Sequence, residues 1–388
     1  MRILMAHNRY LVRGGEDEST DAELALLRAA GHQADLLEAD NRRVAELGRL
    51  ATAARTLWSR EAYREVERRL AGGAYDVVHV QNSFPLLSPS ILHAARAGGA
   101  AVVQSLRNYR LLCLNGYLFR DGRLCHDCLG RAVPWPGVRH RCYRGSLPGS
   151  ATVAGMVTLH RALGTWRRCV DRFVAPSDFT RQLFVEAGFE AARIVVKPNF
   201  VAGEPAVGTG EGGYLLFVGR LSSEKGLGVL LEAVGRLDPP LPLKVIGEGA
   251  PPEGAAVPGV EWLGRRPLDE VYRAMGEALA VVVPSVWYET FGRIVVEAYA
   301  AGTPVVASDQ GAVAELVDDG VTGYRFRAGD PADLAVALAR LRDRPEATRA
   351  LRLAARRRYE ERYTGARNLE LLLAIYRRAV AARDARTG

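Results

Sequence analysis

Residues 284–306 read PSVWYETFGRIVVEAYAAGTPVV. The apolar run Ala280–Val283 before them has the length and β-branched content of a buried strand. Gly292 then opens and Gly302 closes a stretch with helical periodicity, Arg293–Ala301, and Pro304–Ala307 starts another apolar run. Strand, helix and strand at this spacing predict a parallel sheet covered by helices.

The same alternation extends in both directions. Toward the N-terminus of this half, Tyr214–Val218 and Lys244–Ile246 are predicted strands, and Leu227–Leu237 and Leu268–Met275 predicted helices. Asp333–Leu341 is a further helix. In the first half the predicted strands are Arg2–His7, Val77–Gln81, Ala101–Leu106, Phe173–Ala175 and Ile194–Lys197, with a helix over Glu16–Ala30 ended by Gly31. Residues 202–213, rich in Gly, Pro, Ala and Thr, read as a linker and hinge. With 388 residues the chain exceeds one ordinary core. The expected architecture is two doubly wound α/β domains, 1–201 and 214–367, facing a cleft. An amphipathic helix from residue 368 onward is expected to pack back on the first. Ligands of such sheets lie at the carboxyl ends of the strands.

Glu289 stands just before a helix start and Glu297 within that helix. Free N–H groups at a helix start suit a phosphate, and Gly292 lets a ligand approach closely. Carboxylates accept hydrogen bonds from vicinal sugar hydroxyls. Val218-Gly219-Arg220-Leu-Ser-Ser-Glu-Lys225-Gly226 follows the first strand of the same domain, and its two cations suit a diphosphate. Each piece alone has an ordinary reading as a cap, a loop or a solvated side chain. Their order and their placement at strand ends give the combination its meaning.

These motifs resemble glycosyltransferase family 4, enzymes of the two-domain GT-B fold that retain anomeric configuration. The resemblance runs through nearly the whole chain. It rests on Glu289 and Glu297 as the paired glutamates, on Gly219-Arg220…Lys225-Gly226, and on Ala300–Ser308. It implies that Glu289 contacts the donor sugar, that Glu297 holds the ribose hydroxyls, and that Arg220 and Lys225 grip the diphosphate. Phe291, Gly292, Arg293 and Ile294 join the donor site by the same resemblance. Leu263, within Trp262–Arg265, falls near the nucleobase. Arg220, Lys225 and Glu289 are the implied catalytic set. The implied donor is a nucleotide sugar, with UDP the first expectation and GDP the second. The implied activity is hexosyl or N-acetylhexosaminyl transfer to a saccharide, glycolipid or small-molecule hydroxyl. No Asp-x-Asp motif is present, so no catalytic divalent metal is expected.

In the first half, Met5–Asp17 resembles the family's first strand and glycine loop, with Gly14 and Gly15 offering N–H groups to donor phosphate. Asn8, Arg9, His79, Asn82, Arg107 and Asn108 end strands on the same rim and are the acceptor- or sugar-side candidates. His79 and Arg107 read equally well as hydrogen-bonded residues capping strand ends. The family often has histidine where this chain has Arg107. Either Arg107 takes over a contact to sugar or phosphate, or the site is organised differently.

Cys113, Cys125, Cys128 and Cys142 are spaced C-x11-C-x2-C-x13-C within a 112–145 insert, and Asp121-Gly122 is a hairpin signal. Four such cysteines suit a structural zinc, with His126 or His140 as substitute ligands. Reduced thiols without metal and a disulfide are the alternatives. Cys169, on an apolar helix, reads as core. The net charge of +8 favours anionic partners. The arginines lack interleaved aromatics, so nucleic acid is not expected. With no apolar run of membrane-spanning length and no signal segment, the expected location is the cytoplasm. The Arg49–Arg69 stretch suits peripheral contact at the inner membrane face. Two competing functions keep the same fold: a glycoside phosphorylase, which would depend on inorganic phosphate, and a non-catalytic nucleotide-sugar sensor.

Overall fold

The computed structural model describes residues 1–72, 75–251 and 257–387. The chain forms two compact units. The first comprises Met1–Leu118, Cys125–Pro198 and the segment from Asn368 onward, and the second comprises Phe119–Leu124 and Asn199–Arg367.

The strands, in chain order, begin with β1 (Arg2–Arg9), β2 (Gln33–Asp40), β3 (Val77–Asn82) and β4 (Ala101–Ser105). The short pair β5 (Phe119–Arg120) and β6 (Arg123–Leu124) follows, then β7 (Arg172–Ala175) and β8 (Ile194–Val196). Six of these make one parallel sheet in the order β2-β1-β3-β4-β7-β8. Every residue of β3 is buried. Its polar members, His79, Gln81 and Asn82, must therefore find partners inside the protein. The core on one face joins Ile3, Met5, Leu27, Val103 and Val174 to Leu372, Ile375, Tyr376 and Ala379 of the helix Gly365–Thr387. Asp121 and Gly122 both adopt positive φ and turn β5 antiparallel onto β6.

The second unit contains β9 (Leu215–Val218), β10 (Leu243–Ile246), β11 (Val260–Gly264), β12 (Ala280–Val283), β13 (Val305–Ser308) and β14 (Gly323–Phe326). Its parallel order is β11-β10-β9-β12-β13-β14. Period-two alternation divides the central strands between two cores. Leu216, Val281, Val283 and Val305 pack with Val295, Tyr299 and Tyr359. Leu215, Phe217, Val282 and Val306 pack with Leu230, Leu334 and Leu338 on the other face.

Among the elements not given from sequence are the strands β2, β11 and β14 and the helix Pro345–Arg362. The segment 202–213, read as a linker, runs along the second unit. Gly208, Gly210 and Gly212 donate backbone hydrogen bonds to Ala301, Gly276 and Glu277 at 3.0, 3.0 and 2.9 Å. A side chain at Gly208 would place its Cβ 2.1 Å from the Gly276 carbonyl oxygen, so only glycine permits this approach.

Candidate functional site

In the second unit, two loops at the carboxyl ends of β9 and β12 are pressed together. Gly226 has φ 73°, and a Cβ there would lie 1.8 Å from the carbonyl oxygen of Pro284. The Val286 N–H donates to the Glu224 carbonyl at 3.0 Å. This contact brings Lys225 to Glu289: Nζ donates to Oε1 at 2.6 Å, while Ser285 Oγ donates to the same oxygen at 2.9 Å. The Glu289 N–H donates to the Trp287 carbonyl at 3.1 Å, and the Lys225 ammonium lies 5.4 Å from the Trp287 ring centroid. Burial pushes the Glu289 carboxyl up. The Lys225 charge and these hydrogen bonds outweigh burial and hold it below the usual carboxylate range. Glu289 is thus a fixed anion.

The helix Arg293–Ala300 begins directly after it. Gly292, at φ 89°, stands at the cap position and brings no side chain of its own to the first turn. The helix start therefore presents backbone donors, as an anion site requires. Arg293 Nη2 donates to Glu297 Oε1 at 2.8 Å, one turn along. Arg220 donates to Glu224 at 2.9 Å, and Ser222 Oγ donates to the same carboxylate oxygen at 2.7 Å. Each implied donor-binding cation is thus held by a carboxylate close in sequence or on the facing loop. The Phe291 ring is core, edge-on to Tyr363 with centroids 6.2 Å apart. Ile294 and Leu263 pack partly buried against that core. One residue went unforeseen: Gln310 Nε2 donates to the Ser285 carbonyl at 3.0 Å and to that of Trp287 at 3.5 Å. It pins the loop that carries Glu289.

In the first unit the rim candidates are largely engaged with one another. The Gly14 N–H is donated to Asp17 Oδ2 at 3.1 Å, so it caps its own helix rather than standing open. Asp17 Oδ1 also bonds His7 Nε2 at 2.8 Å. Gly15 begins the helix at this turn. Asn8 is fully buried: its amide donates to Asn41 Oδ1 at 2.9 Å and accepts from the Leu86 N–H at 2.8 Å. Asn82 donates to the Asn8 carbonyl at 3.0 Å. Arg9 is clamped by Asp21 and Glu38, at 2.9 and 2.7 Å. Asn108 donates to Glu16 at 3.1 Å.

Beneath the rim lies a buried polar network. Glu23 Oε1 accepts from Lys197 Nζ at 2.8 Å and Arg107 Nη2 at 2.9 Å, and Gln81 Nε2 donates to Glu23 Oε2 at 2.7 Å. Burial raises the Glu23 carboxyl, but the two cations more than reverse this and keep it far below the usual range. His79 is completely buried, with Nδ1 2.8 Å from the Tyr376 hydroxyl and Nε2 2.9 Å from Ser105 Oγ. Burial pulls it down to about 3, so the ring is neutral. The geometry thus gives His79 an internal supporting role and ties Arg107 to Glu23 and Gln81. Glu23, Gln81 and Lys197 were not singled out from sequence, where Glu23 is one acid on a helix and Lys197 merely follows a strand.

All five cysteines are free, so the disulfide alternative is not formed. Cys113 Sγ donates to Asn115 Oδ1 at 2.9 Å, and the buried Cys128 Sγ faces the Pro134 carbonyl at 3.8 Å. Burial, reinforced by the nearness of Cys113, Cys142 and Cys125, lifts the Cys128 thiol to about 11. Among the described residues no three or more His, Cys, Asp or Glu side chains are gathered so as to hold a metal ion. No described helix is long and apolar enough to cross a membrane.

Comparison with known proteins agrees with this architecture. Residues 6–199 match the family model described as glycosyl transferase 4-like domain, and residues 212–344 match that of glycosyl transferases group 1. A glycogen synthase of Mycobacterium tuberculosis is 35% identical over 185 residues, covering 45% of this chain and 43% of the relative. A phosphatidyl-myo-inositol mannosyltransferase of Mycobacterium leprae is 35% identical over 202 residues, covering 46% and 52%. These matches thus span about half the length of either relative. Among solved structures, HepE of Anabaena in complex with UDP superposes with a TM-score of 0.69 at 18% identity, covering 96% of this chain and 99% of that one. Sucrose-phosphate synthase of Thermosynechococcus elongatus gives 0.68 at 16%, covering 98% and 99%. Two parallel-sheet units, the matched sequence models in both halves and these structural neighbours lead to one assignment: the chain is a glycosyltransferase of the family 4 type with the GT-B fold.

Proposed function

We propose that this glycosyltransferase takes a sugar from a UDP-sugar and transfers it, with retained anomeric configuration, to a hydroxyl of a saccharide, glycolipid or small-molecule acceptor. The observation that carries this reading is the Lys225–Glu289 pair fixed beside the glycine-capped start of helix Arg293–Ala300. Cleavage of the anomeric bond puts negative charge on the leaving diphosphate and positive charge on the ring. Lys225, Arg220 and the helix start would stabilise the first, the two cations sharing their present carboxylate partners with the diphosphate. Glu289, already ionised and anchored, orients the sugar hydroxyls and favours the cationic ring. In a front-side reaction the departing phosphate takes the acceptor's proton, so no enzyme nucleophile is needed. Glu297 exchanges part of its bond with Arg293 for the ribose hydroxyls.

Steady-state transfer and donor titration with a UDP-sugar panel test the assignment. Glu297→Ala is expected to weaken donor binding. Lys225→Ala is expected to slow transfer by ~10²–10³, the usual cost of one such electrostatic group. Wild-type donor binding and turnover in both variants would overturn it.

Zinc in the Cys113–Cys142 loop is part of the proposal, supported by the cysteine spacing, by the free state of the thiols and by the nearness of Cys113, Cys125 and Cys142 to Cys128, although they are not gathered as ligands here. Binding would require the four thiols to draw together and ionise, with Cys113 and Cys128 leaving their oxygen acceptors. Metal analysis of the purified protein is expected to find zinc; its absence, with all four thiols titratable, removes this part.

A further inference from the structure

The carboxyl end of edge strand β2, the helices Arg43–Leu57 and Arg60–Ala71, and the loop at Leu86-Leu87 line a cavity of about 660 Å³, open to solvent, within the first unit. That volume is in the range of small-ligand sites. The cavity lies on the rim where doubly wound sheets bind their ligands. Its Leu86 wall is tied to the end of β1 through the Asn8 amide.

Six arginines line it against three glutamates. The three acids are already committed. Glu61 holds Arg55 and, at 3.6 Å, Arg43; Glu65 holds Arg68 and, at 2.7 Å, Arg69; Glu38 accepts from Arg9. Arg60 and Arg64, one helical turn apart and both exposed, pair with no carboxylate among the described residues. They stand in the first turns of a helix whose start adds further positive potential. The Ser59 hydroxyl caps that helix by accepting from the Ala62 N–H at 3.3 Å, so the helix is fixed in place. Its three carboxylates being engaged elsewhere, the cavity keeps two guanidinium groups that no carboxylate among the described residues pairs. Guanidinium forks match phosphate oxygens two at a time.

We propose that this cavity binds a phosphate group of the acceptor, so that the enzyme glycosylates a phosphate-bearing saccharide. The proposal rests on the glycosyltransferase reading given above and adds the acceptor's chemical class to it. The phosphate comes either from a soluble sugar phosphate or from the headgroup of a lipid-carried acceptor.

The test compares wild type with Arg60→Gln/Arg64→Gln in the full chain, after melting curves establish that both fold. Three titrations are run on each: inorganic pyrophosphate with glucose 1-phosphate, phosphatidylglycerol–phosphatidylcholine vesicles, and UDP. Saturable binding of the soluble phosphates, weakened at least tenfold in the variant, supports a soluble acceptor. Binding confined to the anionic vesicles, and lost in the variant, supports a lipid-carried one. Equal behaviour of the two proteins toward both probes, with UDP binding retained, overturns the cavity assignment alone. Loss of UDP binding in the wild type strikes the glycosyltransferase reading instead.

Discussion

At the residue scale, Gly226 decides whether the donor-side loops can meet. Its positive φ and the 1.8 Å that a Cβ would leave to the Pro284 carbonyl make any side chain costly. Gly226→Ala is expected to lower stability by roughly 2–4 kcal/mol and to separate Lys225 from Glu289. Thermal melts and UDP titration check this; an unchanged melting point with unchanged binding contradicts the close packing. Buried His79 governs the response to acid. Its folded-state value of about 3 lies below the ordinary 6.5. Between those values the unfolded chain binds more protons, so stability rises with pH there and is lost as pH falls below ~6.5. Glu23, also depressed, adds its own loss at lower pH, below the ordinary carboxylate value. Urea midpoints at pH 7 and pH 5 are expected to differ less in His79→Gln than in wild type; equal differences would remove His79 as a contributor.

At the element scale, legibility follows burial. The central strands β3, β4, β9, β12 and β13 are covered on both faces, so their apolar runs are visible in the sequence and their placement is close to the expected one. The missed strands β2, β11 and β14 are all sheet edges. Gln33–Asp40 carries four polar or charged residues, Gln33, Asp35, Glu38 and Asp40, as suits an edge, and Val260–Gly264 is nowhere fully buried. Sheet membership at such positions comes from pairing to a neighbour, which no local pattern records. The site was legible to the same degree. Lys225 and Glu289 declare themselves because glycines and a helix start surround them. Gln310 does not: its function is to donate to two backbone carbonyls of another loop, and a lone glutamine after a strand carries no signal of that. Gln310→Ala is expected to loosen the Glu289 loop and slow sugar transfer about tenfold while donor affinity changes less. A kcat equal to wild type would show that the loop holds without it.

At the scale of the whole molecule, the two sheets are alike but the two units are not built alike along the chain. Apart from the short β5–β6 pair, the second unit is one continuous segment, Asn199–Arg367. The first is completed by residues beyond it, since Leu372, Ile375, Tyr376 and Ala379 fill the core around Ile3 and Met5. A chain stopped at Arg367 is expected to expose that apolar surface and lose cooperative melting of the first unit. The second keeps its own core, and UDP titration of the shortened chain reports whether it still folds. Retention of two intact transitions would show that the last helix is dispensable.

The Tyr376–His79 hydrogen bond, 2.8 Å long, joins residues 297 positions apart in the chain. On a ribosome, therefore, the first strands to emerge wait for almost the entire polypeptide before their cover arrives. The usual order, in which the leading domain finishes first, is reversed. The second unit is expected to close first, while the first keeps the sheet face that Leu372, Ile375 and Tyr376 later cover open to water.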